Sequence, residues 1–247
     1  MCLINFAWRS HADYRLVLVA NRDEFYARPT KPLHRWDNGL LAGKDLKDGG
    51  TWLGILPNGR FAALTNYRDP SNIKVDAPSR GKLVLDYLTG TASPETYARS
   101  LEKEHHAYNG FNLLVGDANS LYYLNNIDNS LKPLKDGVYG LSNSVLDTPW
   151  PKVKKSKNGF TQLMKYPPLT EELLGLFSDT EPAHAAELPS TGVSRDWEHK
   201  LSSICIRTPE YGTRSTTVLL IDKQGHITIR EKDYREGSDN YLTATRQ

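Results

Sequence analysis

The feature that most constrains this chain lies at its start. Two apolar, β-branched-rich runs, CLINFAW (2–8) and YRLVLVAN (14–21), are joined by the turn-like SHAD. Such a pair predicts an antiparallel hairpin. A second pair follows in GTWLGIL, the turn PNG and RFAALTN, with Gly59 suited to a positive φ. Two helices are predicted next. One starts at Ser79 and runs through KLVLDYL to Gly90; the other is capped by Ser93, has Pro94 in its first turn and carries TYARSLEKE.

Strands resume with FNLLVGD, SLYYLNN and GVYGLSN. Residues 150–180 read as two helical pieces broken at Pro167-Pro168. A loop rich in Pro, Ser and Gly, around 181–195, leads to the last predicted strands, KLSSICIRT, STTVLLID and HITIREKD. Blocks of strands alternating with blocks of helices predict an α+β chain with largely antiparallel sheets, not a βαβ array.

Composition narrows the function classes. A chain of 247 residues can bury a sizeable core, and a single domain spanning 1–247 is expected. With 31 basic and 29 acidic residues the net charge is +2, which gives no electrostatic reason to expect nucleic acid. The basic run Pro151–Lys157 (PKVKKSK) reads as a solvated face. No apolar run approaches the roughly 18 residues of a membrane-spanning helix. The N-terminus lacks a charged signal region, Cys at position 2 excludes N-myristoylation, and no C-terminal prenylation box is present. Two cysteines make no disulfide scaffold, and free thiols without a secretion signal predict a cytoplasmic location. Neither a G-x-G-x-x-G nor a Walker A sequence occurs, and no cofactor is expected.

One of those two cysteines is Cys2. Removal of Met1, which a small second residue should permit, would place a thiol and a free α-amino group on one residue. An α-amino group has a pKa of about 7.7–8.0 and can act as general base for its own side chain. N-terminal threonine uses the same device. Attack on an amide or thioester carbonyl would also need oxyanion donors and a charged group to orient the amine. Polar residues at predicted strand ends supply candidates: Asn21, Arg22, Asp23 and Glu24 ending the second strand, Asn66 ending RFAALTN, and Asn143 after GVYGLS. Each serves equally as an ordinary cap or turn residue; the three clusters together with Cys2 are more persuasive than any one.

Taken together, CLINFAW, VLVANRDEFYARP, GTWLGI and YGTRSTTVLLID resemble the NRDE family, named for its Asn-Arg-Asp-Glu motif, whose eukaryotic members are called transport and Golgi organisation protein 2. The resemblance runs from Met1 to about Asp222. A more distant resemblance is to N-terminal nucleophile hydrolases of the penicillin V acylase and bile salt hydrolase type. These also begin Met-Cys and carry an Arg-Asn-x-Asp segment at the end of the second strand. It implies that Asp23 holds the α-amino group, that Asn66 and Asn143 are oxyanion donors, and that Arg214 in YGTRSTT is the late arginine. The arginine of the segment falls on Ala20, or is replaced by Arg22. The implied fold is a four-layer αββα sandwich of two mainly antiparallel sheets.

Other candidates have blander readings. Cys205, in SSICIRT, reads as a small core residue, and His105-His106 as a solvated helix end without metal-ligand spacing. His34 lies in a loop. Trp36, Trp52 and Trp150 suit a substrate groove, as does Asn21 for polar contacts, yet core packing explains most tryptophans.

Two functions from different classes are implied. One is a cysteine amidohydrolase or acyltransferase acting on a linear amide or an acyl thioester through an acyl-enzyme. The other is a haem or acyl-lipid binding and trafficking protein on the same fold. Any non-covalent haem ligand would be a thiolate, a Tyr or one of the seven His.

Overall fold

Strand β1 (Cys2–Trp8) is buried along its whole length because both of its faces are covered. Ile4, Phe6 and Trp8 enter one core, and Leu3 and Ala7 enter another on the opposite side. The computed structural model describes residues 2–166 and 170–245. Strand β1 pairs antiparallel with β2 (Tyr14–Phe25), Trp8 opposite Leu16 and Cys2 opposite Arg22.

The chain continues through β3 (Thr30–Arg35), β4 (Leu41–Asp45), β5 (Leu53–Ile55) and β6 (Phe61–Asn66). After helices α1 (Gly81–Thr89) and α2 (Pro94–Leu101) come β7 (Phe111–Gly116), β8 (Leu121–Asn125), β9 (Ser130–Pro133) and β10 (Gly137–Leu141). Helices α3 (Pro151–Leu163), α4 (Thr170–Leu176) and α5 (Arg195–Lys200) precede β11 (Tyr211–Asp222), β12 (His226–Asp233) and β13 (Asp239–Thr245).

Among the described residues these strands form two sheets. One has the order β10–β1–β2–β11–β12–β13 and the other β3–β4–β5–β6–β7–β8–β9, and the pairings are antiparallel. Between them, Ile4, Phe6 and Trp8 pack with Leu41, Phe61 and Leu114. Leu83, Val84 and Tyr87 of α1 cover the outside of the second sheet, over Ala62, Leu64 and Leu113. Val153 and Phe160 of α3 and Leu173 of α4 cover the first, over Leu3, Val17 and Val19. The expected α, β, β, α layering is therefore what the chain adopts. Each large apolar side chain so buried contributes about 1.5–3 kcal/mol. Among the described residues no helix is long and apolar enough to cross a membrane.

Local signals worked where the chemistry was local. Gly59 sits at φ 87° in the β5–β6 turn, and the Ser93 side chain accepts the Thr96 N–H at 3.2 Å to cap α2. The break at Pro167-Pro168 lies outside the described residues.

Three expectations are corrected. The second strand does not stop at Asn21 but runs to Phe25, so the NRDE segment ends it as expected, with Asn21, Arg22 and Asp23 buried. KLSSICIRT is not a strand: β2 is already flanked by β1 and β11, and this segment finds other partners. Cys205 N–H donates to the Asp179 carbonyl at 2.7 Å, and Ile206 N–H to the Thr213 hydroxyl at 2.8 Å. Cys205 is buried there, away from regular structure. The basic run Pro151–Lys157 opens α3, and its Lys152 is only 2% exposed, so it is not a purely solvated face.

Candidate functional site

Cys2 is the first residue of β1, and strand pairing sets it directly opposite Arg22. Directly opposed residues project to the same face. That face continues the inter-sheet side of Ile4 and Ala20 and opens into a cleft of about 210 Å³. Around Cys2 the cleft is lined by Arg22, Asp23, Trp52, Asn66 and Arg80. Arg22 is 6% exposed; its guanidinium stacks over the Trp52 ring at 4.1 Å and makes no ion pair among the described residues. Burial pushes the Cys2 thiol up from its usual pKa, with Arg22 opposing that rise. The resting side chain is thus a thiol that needs a base to become nucleophilic.

Asp23, the next residue along β2, also borders the cleft and lies opposite Thr213 of β11. One carboxylate oxygen accepts the Thr213 hydroxyl at 2.7 Å. Burial raises the pKa of this carboxyl, and Lys152 opposes the rise. Lys152 stands in the first turn of α3, a poor place for a cation because the helix N-terminus is itself positive. Its Nζ has no hydrogen-bond partner among the described residues, and burial pushes its pKa down to about 8. Nearby, Arg68 pairs with buried Glu198 at 2.9 Å and stacks over Trp150 at 4.7 Å.

A polar seam ties the two sheets together beneath Cys2. The Ser142 hydroxyl donates to the Cys2 carbonyl at 3.0 Å, and the Thr65 hydroxyl donates to the Ser142 carbonyl at 2.6 Å. Asn112 donates to Thr65 Oγ1 at 3.0 Å and to the Ser144 carbonyl at 2.9 Å. Asn143 Nδ2 donates to the Asn66 carbonyl at 2.8 Å, while Asn143 Oδ1 accepts from Ser142.

The sequence-derived candidates therefore divide. Cys2, Arg22, Asp23, Asn66 and Trp52 line one cleft. Asn143 does not line it; its amide supports the Asn66 backbone from behind. Asn21 is an internal clamp, with Nδ2 donating to the carbonyls of Phe177 (2.9 Å) and Ile204 (2.8 Å), and Oδ1 accepting from Thr216 (2.6 Å). Arg214 is the extra residue of a bulge, since Thr213 pairs with Asp23 and Ser215 with Arg22. Its guanidinium donates to the carbonyls of Phe25, Tyr26 and Arg28 and braces the turn after β2. Trp36 lies elsewhere, stacked on His34 beside Lys44 and bonded to the Ala42 carbonyl.

Sequence reasoning missed Arg80, Lys152, Ser142 and Thr65. For Lys152 a signal existed, a lysine directly after a helix-opening proline with apolar Val153 behind it. Arg80 carried none, because only the docking of α1 brings it to the cleft.

A buried cysteine at the first strand's start thus faces a cleft on a four-layer αββα frame. Two crystal structures of a conjugated bile acid hydrolase from Clostridium perfringens share the fold. They superpose with TM-scores of 0.58 and 0.56 at 10% sequence identity, covering 98% of this chain and 92% of theirs. Closer kinship identifies the family. The family described as Transport and Golgi organisation 2 matches residues 1–236, and the chain belongs to it. The Bos taurus Transport and Golgi organization protein 2 homolog is 38% identical over 263 aligned residues, covering 97% of this chain and 95% of that protein. The Drosophila melanogaster protein of that name is 30% identical, covering 94% and 92%.

Proposed function

We propose that this protein is an N-terminal cysteine hydrolase or acyltransferase acting on a small acyl amide or acyl thioester. The observation carrying the proposal is the placement of Cys2 in the cleft, opposite Arg22, with Asp23 and Asn66 bordering the same cleft. With Met1 removed, the α-amine of Cys2 takes the thiol proton as sulfur attacks the carbonyl carbon. The S–C bond forms, and negative charge gathers on the carbonyl oxygen, where the Asn66 side-chain amide and Arg22 can meet it. The ammonium then returns its proton to the departing amine or thiol as the C–N or C–S bond breaks. Water, or another acceptor, attacks the resulting thioester; the S–C bond breaks and the thiol is restored. Asp23 orients the ammonium throughout. Two free thiols, Cys2 and Cys205, fit a reducing, cytosol-like compartment for this chemistry.

The test compares Met1-free wild type with Cys2→Ala and Cys2→Ser on a panel of acyl amides and acyl-CoA thioesters. Wild type should turn over at least one member, Cys2→Ala none, and Cys2→Ser far less, since an alcohol is the poorer nucleophile near neutral pH. Equal rates in wild type and Cys2→Ala end the reading. The carrier reading, with haem or an acyl lipid as cargo, is tested on the same proteins. Among the described residues no His, Tyr or Met lines the cleft, and the ligand they offer a haem iron there is the Cys2 thiolate. A charged lining of Arg22, Glu24, Arg28, Asp45 and Asp48 suits a polar group better than a porphyrin face. Tight stoichiometric haem binding that shifts its Soret band in Cys2→Ala, with no turnover by wild type, would promote the carrier.

A further inference from the structure

The cleft holds three arginines in two different states. Arg28 is neutralised, its Nε 2.7 Å from Asp45 and its other arm on Asp48, with Glu24 at 4.0 Å. Arg22 and Arg80 form no ion pair among the described residues. Arg22 is more than nine-tenths buried, and it makes no hydrogen bond through its guanidinium among the described residues. Glu24 in the same lining acts on both Arg22 and Arg80 at longer range, but a buried guanidinium with no carboxylate in contact is still a costly arrangement. Arg80 spends Nη1 on the Gly110 carbonyl at 2.8 Å and lines the cleft with Ser79 and Gly81.

Arg80 reaches the cleft because helix α1 begins there. The approach depends on Gly50: a Cβ on that residue would lie 2.6 Å from the carbonyl carbon of Gly81, so only glycine lets this loop meet the helix start. The positive end of the α1 dipole therefore adds to the two guanidinium charges. Arg80 also borders a second groove of about 240 Å³, which shares Asn66 and Asn109 with the first and continues over Tyr67, Pro70 and Ile73. Ile73 is 68% exposed, an apolar side chain left open at the groove.

We propose that Arg22 and Arg80 form an anion site beside Cys2, and that its ligand is an amphiphile. Its carboxylate or phosphate meets the two guanidiniums, while its apolar chain lies in the adjoining groove over Tyr67, Pro70 and Ile73. The proposal rests on the reading of the Cys2 cleft as the substrate site and narrows the substrate to anionic acyl compounds.

Binding is measured on full-length Cys2→Ala protein, which needs no turnover, so failure to bind and failure to hydrolyse are separate results. Decanoate, decyl phosphate and decanol are titrated calorimetrically below their micelle-forming concentrations. One of the two anions should bind about tenfold or more tightly than decanol, the size expected of a charge-assisted hydrogen bond. Whichever anion is preferred decides between carboxylate and phosphate. Adding Arg80→Gln to this protein should remove the preference while leaving decanol affinity unchanged, and Arg80→Lys should keep part of it. The preference should also shrink as salt rises, a readout that needs no further variant. Equal affinity for anions and decanol, a salt-independent preference, or a preference undiminished by Arg80→Gln overturns the site.

Discussion

The two faces of β2 near its end do different work with adjacent residues. On one face Leu16, Leu18 and Ala20 lead to Arg22, which enters the cleft beside Cys2. On the other, Val17 and Val19 lead to Asn21, clamped to the ends of two loops, and to Asp23, bonded to Thr213. The period of two along the strand therefore divides the work of the NRDE motif: Arg22 and Glu24 line the cleft, Asn21 is support, and Asp23, beside the bulge at Arg214, does both. The lesson is that a compact motif need not be a compact site. Half of it can be the scaffold that aims the other half.

The sharpest way to break this division is across the cleft from Arg22. Asn66→Ala should cost about 2.7–4 kcal/mol of barrier, roughly 10²–10³ in turnover, with the melting temperature little changed. Steady-state kinetics on Met1-free protein check it, and loss of only a few-fold would remove Asn66 from the mechanism.

On the support face, Asn21→Ala leaves the Phe177 and Ile204 carbonyls and the Thr216 hydroxyl without that partner. The expected loss is about 3 kcal/mol of stability. Arg22→Met should change stability by about 1 kcal/mol or less, because its volume is nearly kept and no guanidinium hydrogen bond among the described residues is lost. Denaturant midpoints of the two variants decide whether the faces differ; equal losses would dissolve the comparison.

Lys152 sharpens the support side through pH. Its folded pKa of about 8 lies below the 10.5 of an ordinary lysine, so between those values the unfolded chain binds more protons. Stability contributed by this group therefore rises with pH through that window, by up to about 3 kcal/mol, and is lost again on returning below 8. Wild type should show this slope and Lys152→Met should lack it; parallel curves of stability against pH would show that Lys152 is not held in this state.

The smallest effect concerns the two cysteines. Cys2 lines the cleft whereas Cys205 is 1% exposed, so iodoacetamide should label Cys2 first in the native state. Because burial raises the thiol pKa, that rate should climb about tenfold per pH unit without levelling off before pH 9. A plateau near pH 7 would reveal an activated thiolate instead.

Much of this arrangement is legible in the sequence. The two opening hairpins, the Ser93 cap, the Gly59 turn and the frame of strand and helix blocks all rest on contacts between near neighbours in sequence. The motif residues proved harder. A run of Asn, Arg, Asp and Glu has the composition of a turn as well as of a strand end; pairing with β1 and β11 continues the strand through it, and the bonds from Asn21 and Asp23 to residues more than 150 positions away bury its side chains. Apolar Ile204 and Ile206 look like strand residues, but the strands that could have paired with them already had partners.

The sequence by itself determined the hairpins, the Ser93 cap of α2 and the presence of a cysteine able to become the first residue. These follow from backbone preferences and side-chain periodicity within about ten residues. Only the tertiary structure decided that Arg22, Asn66 and Arg80 meet Cys2 while Asn143, Asn21 and Arg214 turn inward as braces. That choice depends on strand register, on the Arg214 bulge and on the approach of α1 at Gly50, where one residue of slip would send each side chain to the opposite face.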